Sequence, residues 1–158
     1  MSKQTWKTYA FWIALSEAVG ALSGWLAREG IEVYQAQAVK PPFSPPGFVF
    51  PVVWAILFAL MGVGAARVYL SPASRDRSTA LWLFGAQLFF NFFWTIIFFT
   101  LQNYGLALIW LAALWVLIFE MIPAFQKIDA LASRLQIPYL LWVSFAAYLN
   151  LGVWLLNR

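Results

Sequence analysis

The sequence predicts an all-α membrane protein: a bundle of five transmembrane helices in one domain over residues 1–158, with a proline-rich extramembrane loop between the first two helices. Three observations predict this fold. Hydrophobic residues make up 63% of the chain and charged residues only 10%, whereas soluble domains carry roughly 25% charged residues. Five apolar segments are each long enough to cross a bilayer, which takes roughly 20 residues. The one long connector contains a proline cluster that no helix crosses, because proline lacks the backbone N–H and fixes φ.

The predicted spans cover residues 9–27, 48–70, 80–101, 104–125 and 135–156. Inside them, only Glu17, Arg67 and Glu120 carry a charge. Each span must satisfy its own backbone hydrogen bonds in the hydrocarbon core, so the spans are expected to be helices. The connectors are short except for the proline-rich loop at residues 28–47, and long ordered loops usually serve a function. We expect the proline-rich segment from Lys40 to the start of the second span to be a stiff extended connector that shapes the mouth or the lid of a site.

The missing residue types exclude several kinds of chemistry. The chain has no cysteine, which excludes disulfides and thiolates, and no histidine, the commonest metal ligand and general base near neutral pH. We therefore expect no metal site, no cofactor and no Ser-His or Cys-His nucleophile. The net charge of +4 comes from basic residues scattered between the spans, so a nucleic-acid partner is excluded as well.

The distribution of basic residues predicts the orientation, because connectors rich in Lys and Arg stay in the cytoplasm. With five spans, the N-terminus and the second–third and fourth–fifth connectors share one side. That side holds seven basic residues: Lys3, Lys7, Arg67, Arg75, Arg77, Lys127 and Arg134. The other side holds three, which are Arg28, Lys40 and Arg158. We expect a cytoplasmic N-terminus, with the proline-rich loop and the C-terminus outside.

Three motifs resemble those of one family, the TspO/translocator proteins, also called tryptophan-rich sensory proteins or peripheral benzodiazepine receptors. The family's loop motif K-P-x-W-x-P-P is similar to KPPFSPP at residues 40–46, which continues to Pro51 and Trp54. Its third-helix motif Q-x-x-x-N-x-x-W is matched by Gln87, Asn91 and Trp94. Its fifth-helix motif is matched by Pro138, Tyr139, Trp142, Ala146 and Asn150. Five spans in matching order extend the resemblance over essentially the whole chain, which is identified as a bacterial-type member.

The resemblance implies an integral membrane receptor that binds porphyrins such as protoporphyrin IX, and similar flat hydrophobic molecules, in a pocket within the bundle. It implies a sensory, regulatory or tetrapyrrole-handling role. Sterols and benzodiazepine-like molecules are further ligands, and membrane lipid and a second copy of the chain are further partners. The candidate ligand-binding residues are Tyr34, Phe43, Pro45, Trp54, Phe58, Gln87, Asn91, Trp94, Trp142 and Ala146. Phe58 is included because it follows Trp54 by one turn on the same helix face.

Two departures from the family pattern refine these expectations. Phe43 stands where the family usually has tryptophan, which keeps an aromatic plug in the loop but removes an indole N–H. The cholesterol-recognition pattern of animal members is not reproduced near residues 150–158, because Leu151 and Gly152 replace its tyrosines.

The two candidate pocket tryptophans have competing interpretations. Tryptophan favours the headgroup level of a membrane, so both could belong to an interfacial belt. Trp54 lies early in the second span and Trp142 early in the fifth, which predicts opposite membrane depths at which they need not meet. The resemblance implies instead that both face one ligand.

Polar residues inside the spans also allow two readings. Gln87 and Asn91 are expected to face the bundle interior, either as hydrogen-bonding links between helices or as ligand contacts. Glu17 is a functional candidate or a protonated acid bonded between helices. Ser16, Gly20 and Gly24 form a face of small residues that favours close helix packing within the chain over a dimer.

Three functions remain open. The first is binding of a porphyrin-like ligand, whose carboxylates could approach Lys40 and Arg28 at the mouth. The second is translocation of porphyrins or sterols, against which the lack of an inverted repeat argues weakly. The third is light-dependent porphyrin breakdown, with Trp54 and Trp142 as the photochemical residues; no residue pattern supports ordinary acid–base catalysis.

Overall fold

The computed structural model describes residues 2–158, and the regular structure within them is helical throughout. The helices are α1 (Lys3–Leu26), α2 (Arg28–Gln37), α3 (Val49–Tyr69), α4 (Arg75–Thr95), α5 (Tyr104–Gln126), α6 (Ala130–Arg134) and α7 (Ile137–Asn157). A π-helical turn, Ile96–Thr100, continues α4. The all-α prediction is confirmed.

Four segments are long and apolar enough to cross a membrane: Val49–Tyr69, Arg75–Thr100, Tyr104–Gln126 and Ala130–Asn157. A fifth arises if α1 and α2, which meet at a bend of 63°, count as one span. Large apolar side chains cover the outside of these helices; Trp82, for example, is 80% exposed and Ile109 is 71% exposed. Apolar surface on this scale is expected where a protein contacts lipid rather than water.

Side chains cap four of the helices at their N-termini. Ser2, Ser74, Asn103 and Asp129 each accept a hydrogen bond from a backbone N–H three residues later. These residue types are preferred at the N-cap because their short side chains satisfy an N–H that has no partner inside the helix. Helix α3 has no such cap and begins just after the proline cluster, with Pro51 in its first turn, where a proline is tolerated. The predicted start of the second span is thus accurate to one residue.

The connector between the first two predicted spans is half helical, which corrects the expectation of a loop over the whole of residues 28–47. Helix α2 occupies its first ten residues, and the proline-rich loop therefore comprises residues 38–48. No proline precedes Pro41, and the Ile31 N–H bonds to the Ala27 carbonyl across the bend. Tyr34 on this helix is buried, which provides the tertiary contact that a short helix needs.

The last predicted span begins earlier than its apolar sequence indicated. Helix α6 precedes α7 with a two-residue break, and together they form a 28-residue segment from Ala130 to Asn157. Trp142 is the 13th residue of that segment, near its middle rather than near its start.

Close packing joins α1 to α3, α4 to α5 and α5 to α7. The backbones of α1 and α3 approach so closely that a Cβ at Gly62 would overlap the backbone of Ile13. Gly20, on the face of small residues, lies directly against the Phe58 ring. Within residues 2–158, this face is therefore used for packing inside the chain, as expected.

Candidate ligand-binding cavity

A cavity of about 810 Å³ lies inside the bundle, between α1, α2, α3, α4, α7 and the proline-rich loop. Ligand pockets in proteins typically measure about 300–1,000 Å³ and are mostly apolar with a few polar groups. Eight of the ten candidate residues lie on its wall: Tyr34, Pro45, Trp54, Phe58, Asn91, Trp94, Trp142 and Ala146. Phe43 and Gln87 do not.

Phe43 is not a plug for the cavity in this structure. Its side chain is 88% exposed, and its backbone has a φ of 68°. A non-glycine residue in this left-handed region costs roughly 1–2 kcal/mol. The Tyr148 hydroxyl donates to the carbonyl of the preceding Pro42 at 2.6 Å, and this bond contributes to fixing the turn. The expectation that an aromatic ring at position 43 closes the site is therefore corrected: Pro45, Pro46 and Gly47 cover the cavity instead.

Gln87 lies behind the cavity wall, fully buried. Its Oε1 accepts from the Tyr139 hydroxyl at 2.6 Å, and its amide nitrogen points at the sulfur of Met61 at 3.7 Å. Asn91, which does reach the cavity, donates to the same Tyr139 oxygen at 2.7 Å. The expected i, i+4 amide pair thus joins α4 to α7 through one tyrosine, and only Asn91 is also at the wall.

Trp54 and Trp142 meet at the cavity wall, contrary to the depths that their positions in the sequence predicted. Their ring centroids are 6.5 Å apart with the planes at 87°. Phe50, which was not among the candidate residues, stands 5.9 Å from Trp142. The prediction of opposite membrane depths was wrong because α6 precedes α7, so the last span begins at Ala130, five residues before its predicted start. Trp142 is therefore level with the first turns of α3.

Trp142 has an unsatisfied polar group. Its indole Nε1 is buried and has no hydrogen-bond partner among the described residues. By contrast, the indole of Trp94 donates to Asn150 at 3.1 Å, and Asn150 in turn donates to the Tyr104 carbonyl at 2.9 Å. A buried donor without a partner costs about 1–3 kcal/mol.

A second group of aromatic rings also lines the cavity. Tyr34 of α2 contacts Phe98 and Phe99, each with ring centroids 5.3 Å apart, and the Trp94 ring lies tilted against Phe98 with centroids 5.3 Å apart. The π-helical turn carries Phe98 and Phe99 and turns both rings toward α2. Such turns are frequent at functional sites. The sequence carried no signal for it, and neither phenylalanine was a candidate.

Comparison with known proteins supports the same family that the motif residues on the cavity wall indicated. The model of the TspO/MBR family matches residues 12–155. The chain belongs to the TspO/MBR family. It is 37% identical to the tryptophan-rich protein TspO of Chlorobaculum tepidum over 158 residues, which is 99% of each chain.

More distant relatives in the family are also similar. Protein CrtK of Rhodobacter capsulatus is 36% identical over 75% of this chain and 74% of its own. The translocator protein of Sus scrofa is 32% identical over 89% of this chain and 86% of its own. Family membership and the long apolar helices together make the chain an integral, multi-pass membrane protein of TspO type.

Lys40, the lysine of the family's loop motif, lies on the cavity wall, but its ammonium already has partners. Nζ lies 3.2–3.3 Å from the carbonyl oxygens of Tyr34, Gln35 and Ala38, and 4.9 Å from the centre of the Tyr34 ring. It thereby satisfies carbonyls at the end of α2. Arg28, the other cation expected at the mouth, donates to the Trp25 carbonyl and is not on the wall.

The C-terminal half of α7 holds the proline-rich loop in place. The Asn157 side chain accepts from the Val39 N–H at 2.9 Å and donates to the Val39 carbonyl at 2.7 Å. Pro41 packs so closely on Gly152 that a Cβ there would overlap its ring. Together with the bond from Tyr148 to Pro42, these contacts form what we term the loop clamp. Asn150, on the same helix, bonds instead to α4 and α5.

Proposed function

We propose that the chain is a membrane receptor that binds a flat, hydrophobic aromatic ligand of the porphyrin type in the cavity beneath the proline-rich loop. Its role would be sensory or regulatory, or the handling of tetrapyrroles. The relatives are named sensory and translocator proteins, which supports a small-molecule receptor of the membrane but does not name the ligand.

The size and lining of the cavity support a flat aromatic ligand. A volume of about 810 Å³ falls in the upper part of the range for drug-sized ligands. Trp54 and Phe58 present their rings from α3, with centroids 5.6 Å apart, and Phe98 presents one from the other side. Aromatic faces bind another aromatic plane by offset or edge-to-face contacts.

The convergence of aromatic rings on one cavity is the observation that carries the proposal. Trp54, Phe58 and Trp142 line it from α3 and α7, and Trp94 and Phe98 line it from α4 and the π-helical turn. A porphyrin offers the large aromatic plane that such a wall accommodates.

The test is a titration of the purified protein with protoporphyrin IX in the dark, followed by tryptophan quenching and the shift of the porphyrin Soret band. Trp142→Leu removes an aromatic face from the wall, so we expect up to about tenfold weaker binding, the equivalent of one aromatic contact. Trp142→Phe, which keeps an aromatic ring, should weaken binding less. Trp82→Phe is the matched control, because Trp82 is 80% exposed and is not on the wall.

Two results would contradict the proposal. Wild-type protein that neither quenches nor shifts the Soret band at micromolar porphyrin does not bind this class of ligand. Equal weakening in Trp82→Phe and Trp142→Phe would place the porphyrin in the surrounding detergent or on the outer surface rather than in the cavity.

Light-dependent porphyrin breakdown is the second candidate, and the aromatic contacts favour it over other reactions. Trp54 touches both Trp142 and Tyr139, with centroids 6.5 Å and 6.2 Å away, so oxidisable rings adjoin each other beside the cavity. Illumination of the same samples in air tests it. If Trp54→Phe or Trp142→Phe slows the loss of the porphyrin spectrum at equal amounts of bound porphyrin, the result supports photochemical breakdown by the protein. If the spectrum is lost at the same rate in all variants, the result supports binding without breakdown.

A further inference from the structure

Glu17 is the one carboxylate on the cavity wall among the described residues, and the proposed function gives it no role. It forms no hydrogen bond and no ion pair with any residue in the described part of the chain; the salt bridge there joins Arg67 to Asp129. The alternative of an acid bonded between helices is therefore not seen. Lys40, the other fully charged residue on the wall, is already bonded to three backbone carbonyls.

The packing of α1 on α3 places Glu17 deep in the cavity. Gly20 lies against Phe58, and Gly62 lies against Ile13, so the two helices are antiparallel and Glu17 lies beside the stretch between Phe58 and Gly62. Phe58 follows the start of α3 by nine residues, or roughly 13 Å along the helix axis. Lys40 lies in the proline-rich loop that leads into that start. The cavity thus has a cation at its loop end and a carboxylate at its deep end.

The face of α1 that carries Glu17 lines open space of the cavity. Gly24, two turns further along the same face, also lies on the wall, and a Cβ added to it would meet nothing within 4 Å. An ionised carboxylate only accepts hydrogen bonds, and an ionisable side chain in a membrane span usually has a partner that matters for function. The partner that this site lacks is a hydrogen-bond donor.

We propose that Glu17 accepts a hydrogen bond from an N–H or ammonium group on the deep end of the ligand, and that it repels a carboxylate there. This inference rests on the proposed function, since it concerns the same cavity. It narrows the ligand class to a flat aromatic molecule with a nitrogen donor that faces α1. A ligand with acidic arms then binds with those arms toward the loop.

The test compares three porphyrins with one ring system: protoporphyrin IX, its neutral dimethyl ester, and the derivative whose two carboxyls are converted to aminoethyl amides. Binding is measured at pH 7 in the dark by tryptophan quenching, with empty micelles as the blank. Glu17→Gln should weaken binding of the ammonium derivative by roughly tenfold or more, because charge-assisted hydrogen bonds are about twice as strong as neutral ones. It should leave the ester unchanged and leave protoporphyrin IX unchanged or slightly tighter.

Glu120→Gln is the matched control, because Glu120 is also a span glutamate but is exposed on α5 and off the wall; it should change none of the three affinities. Unchanged binding of the ester by Glu17→Gln also shows that the variant is folded. Equal effects of Glu17→Gln on all three porphyrins, or on none, would overturn the inference while the proposed function stands. If no porphyrin binds the wild-type protein, the proposed function fails and this inference fails with it.

Discussion

Two groups of buried polar side chains join the helices of the bundle. The Tyr139 hydroxyl accepts a hydrogen bond from Asn91 and donates one to Gln87, while Asn150 links Trp94 to the Tyr104 carbonyl. Hydrogen bonds of this kind gain strength in a low-dielectric interior and specify one packing. They join α4 to α7 behind the cavity. Two buried atoms have no partner among the described residues, the Trp142 indole nitrogen and Gln136 Oε1.

Asp129 gives a pH-dependent prediction at the level of one residue. Its carboxylate accepts from Arg67 Nε and Nη2 at 2.9 and 3.0 Å, and these bonds hold the pKa of Asp129 below its ordinary value of 3.8. A lowered folded-state pKa stabilises the fold fully above the unfolded-state value, and that contribution is lost as the pH falls through the lowered pKa. Thermal unfolding should therefore shift to lower temperature below about pH 4, and Asp129→Asn should remove part of that shift.

The choice of substitution separates the ion pair from the helix cap. Asp129 also accepts from the Ala132 N–H at the start of α6, and Asn caps a helix as well as Asp does. Asp129→Asn should therefore lower the free energy of unfolding only by the contribution of the ion pair, whereas Asp129→Ala should lower it by about 1 kcal/mol more. Unfolding curves of Asp129→Asn and wild type that keep a constant separation from pH 7 to pH 3 would contradict a stabilising role for the ionised carboxylate.

The loop clamp makes α7 the element that controls access to the cavity. One face of α7 carries Trp142 and Ala146 on the wall, and its last turns hold the proline-rich loop through Asn157. Asn157→Ala removes both bonds to Val39, each worth about 0.5–1.5 kcal/mol. We expect bound protoporphyrin IX to dissociate several-fold faster in stopped-flow measurements. Leu156→Ala, at an exposed neighbouring position, is the control and should leave the rate unchanged.

The absence of native cysteine allows the same clamp to be closed covalently. In the double variant Val39→Cys, Asn157→Cys, oxidation should slow both uptake and release of the porphyrin, and reduction should restore them. If the rates of porphyrin uptake and release change neither when the clamp bonds are removed nor when the disulfide forms, the ligand does not pass beneath the loop.

Features with local causes were predictable from the sequence. The start of α3 follows from the proline cluster, and the extents of α3 and α5 follow from uninterrupted apolar runs, so each was correct to about one residue. Helix α2 and the π-helical turn were missed because tertiary contacts stabilise them: Tyr34 packs on Phe98 and Phe99. The break before α7 was missed for the same reason, and with it the depth of Trp142.

Eight of the ten candidate residues lie on the cavity wall, because the family motifs place polar and aromatic residues at fixed helical spacing. Motif membership alone could not separate residues at the wall from residues behind it. Gln87 and Asn91 are four residues apart on one helix face, yet only Asn91 reaches the cavity, because the Tyr139 hydroxyl lies between the two amides. Phe43 was misplaced because its side-chain direction depends on a left-handed backbone, which nothing in the residue type indicates.

At the scale of the whole molecule, contacts between distant segments define two ends of the bundle. Val39 of the loop bonds to Asn157 near the C-terminus, so the proline-rich loop and the C-terminus lie at the same end. Arg67 at the end of α3 pairs with Asp129 before α6, which brings two of the other connectors together. The seven-to-three distribution of basic residues predicts that this second end is cytoplasmic. We therefore propose that the cavity opens toward the loop on the outer side of the membrane.

Single cysteines in this cysteine-free chain test that orientation. Phe43→Cys lies in the proline-rich loop, where the native side chain is 88% exposed, and Ala73→Cys lies in the exposed connector between α3 and α4. A membrane-impermeant maleimide added to intact spheroplasts should label Cys at position 43 at once, and Cys at position 73 only after the membrane is permeabilised. The reverse pattern would invert the topology and turn the cavity mouth, with Lys40 and the loop clamp, toward the cytoplasm. A ligand would then have to reach the receptor from inside the cell, because the loop end of the cavity and the C-terminus are tied together by Asn157 and cannot face opposite sides.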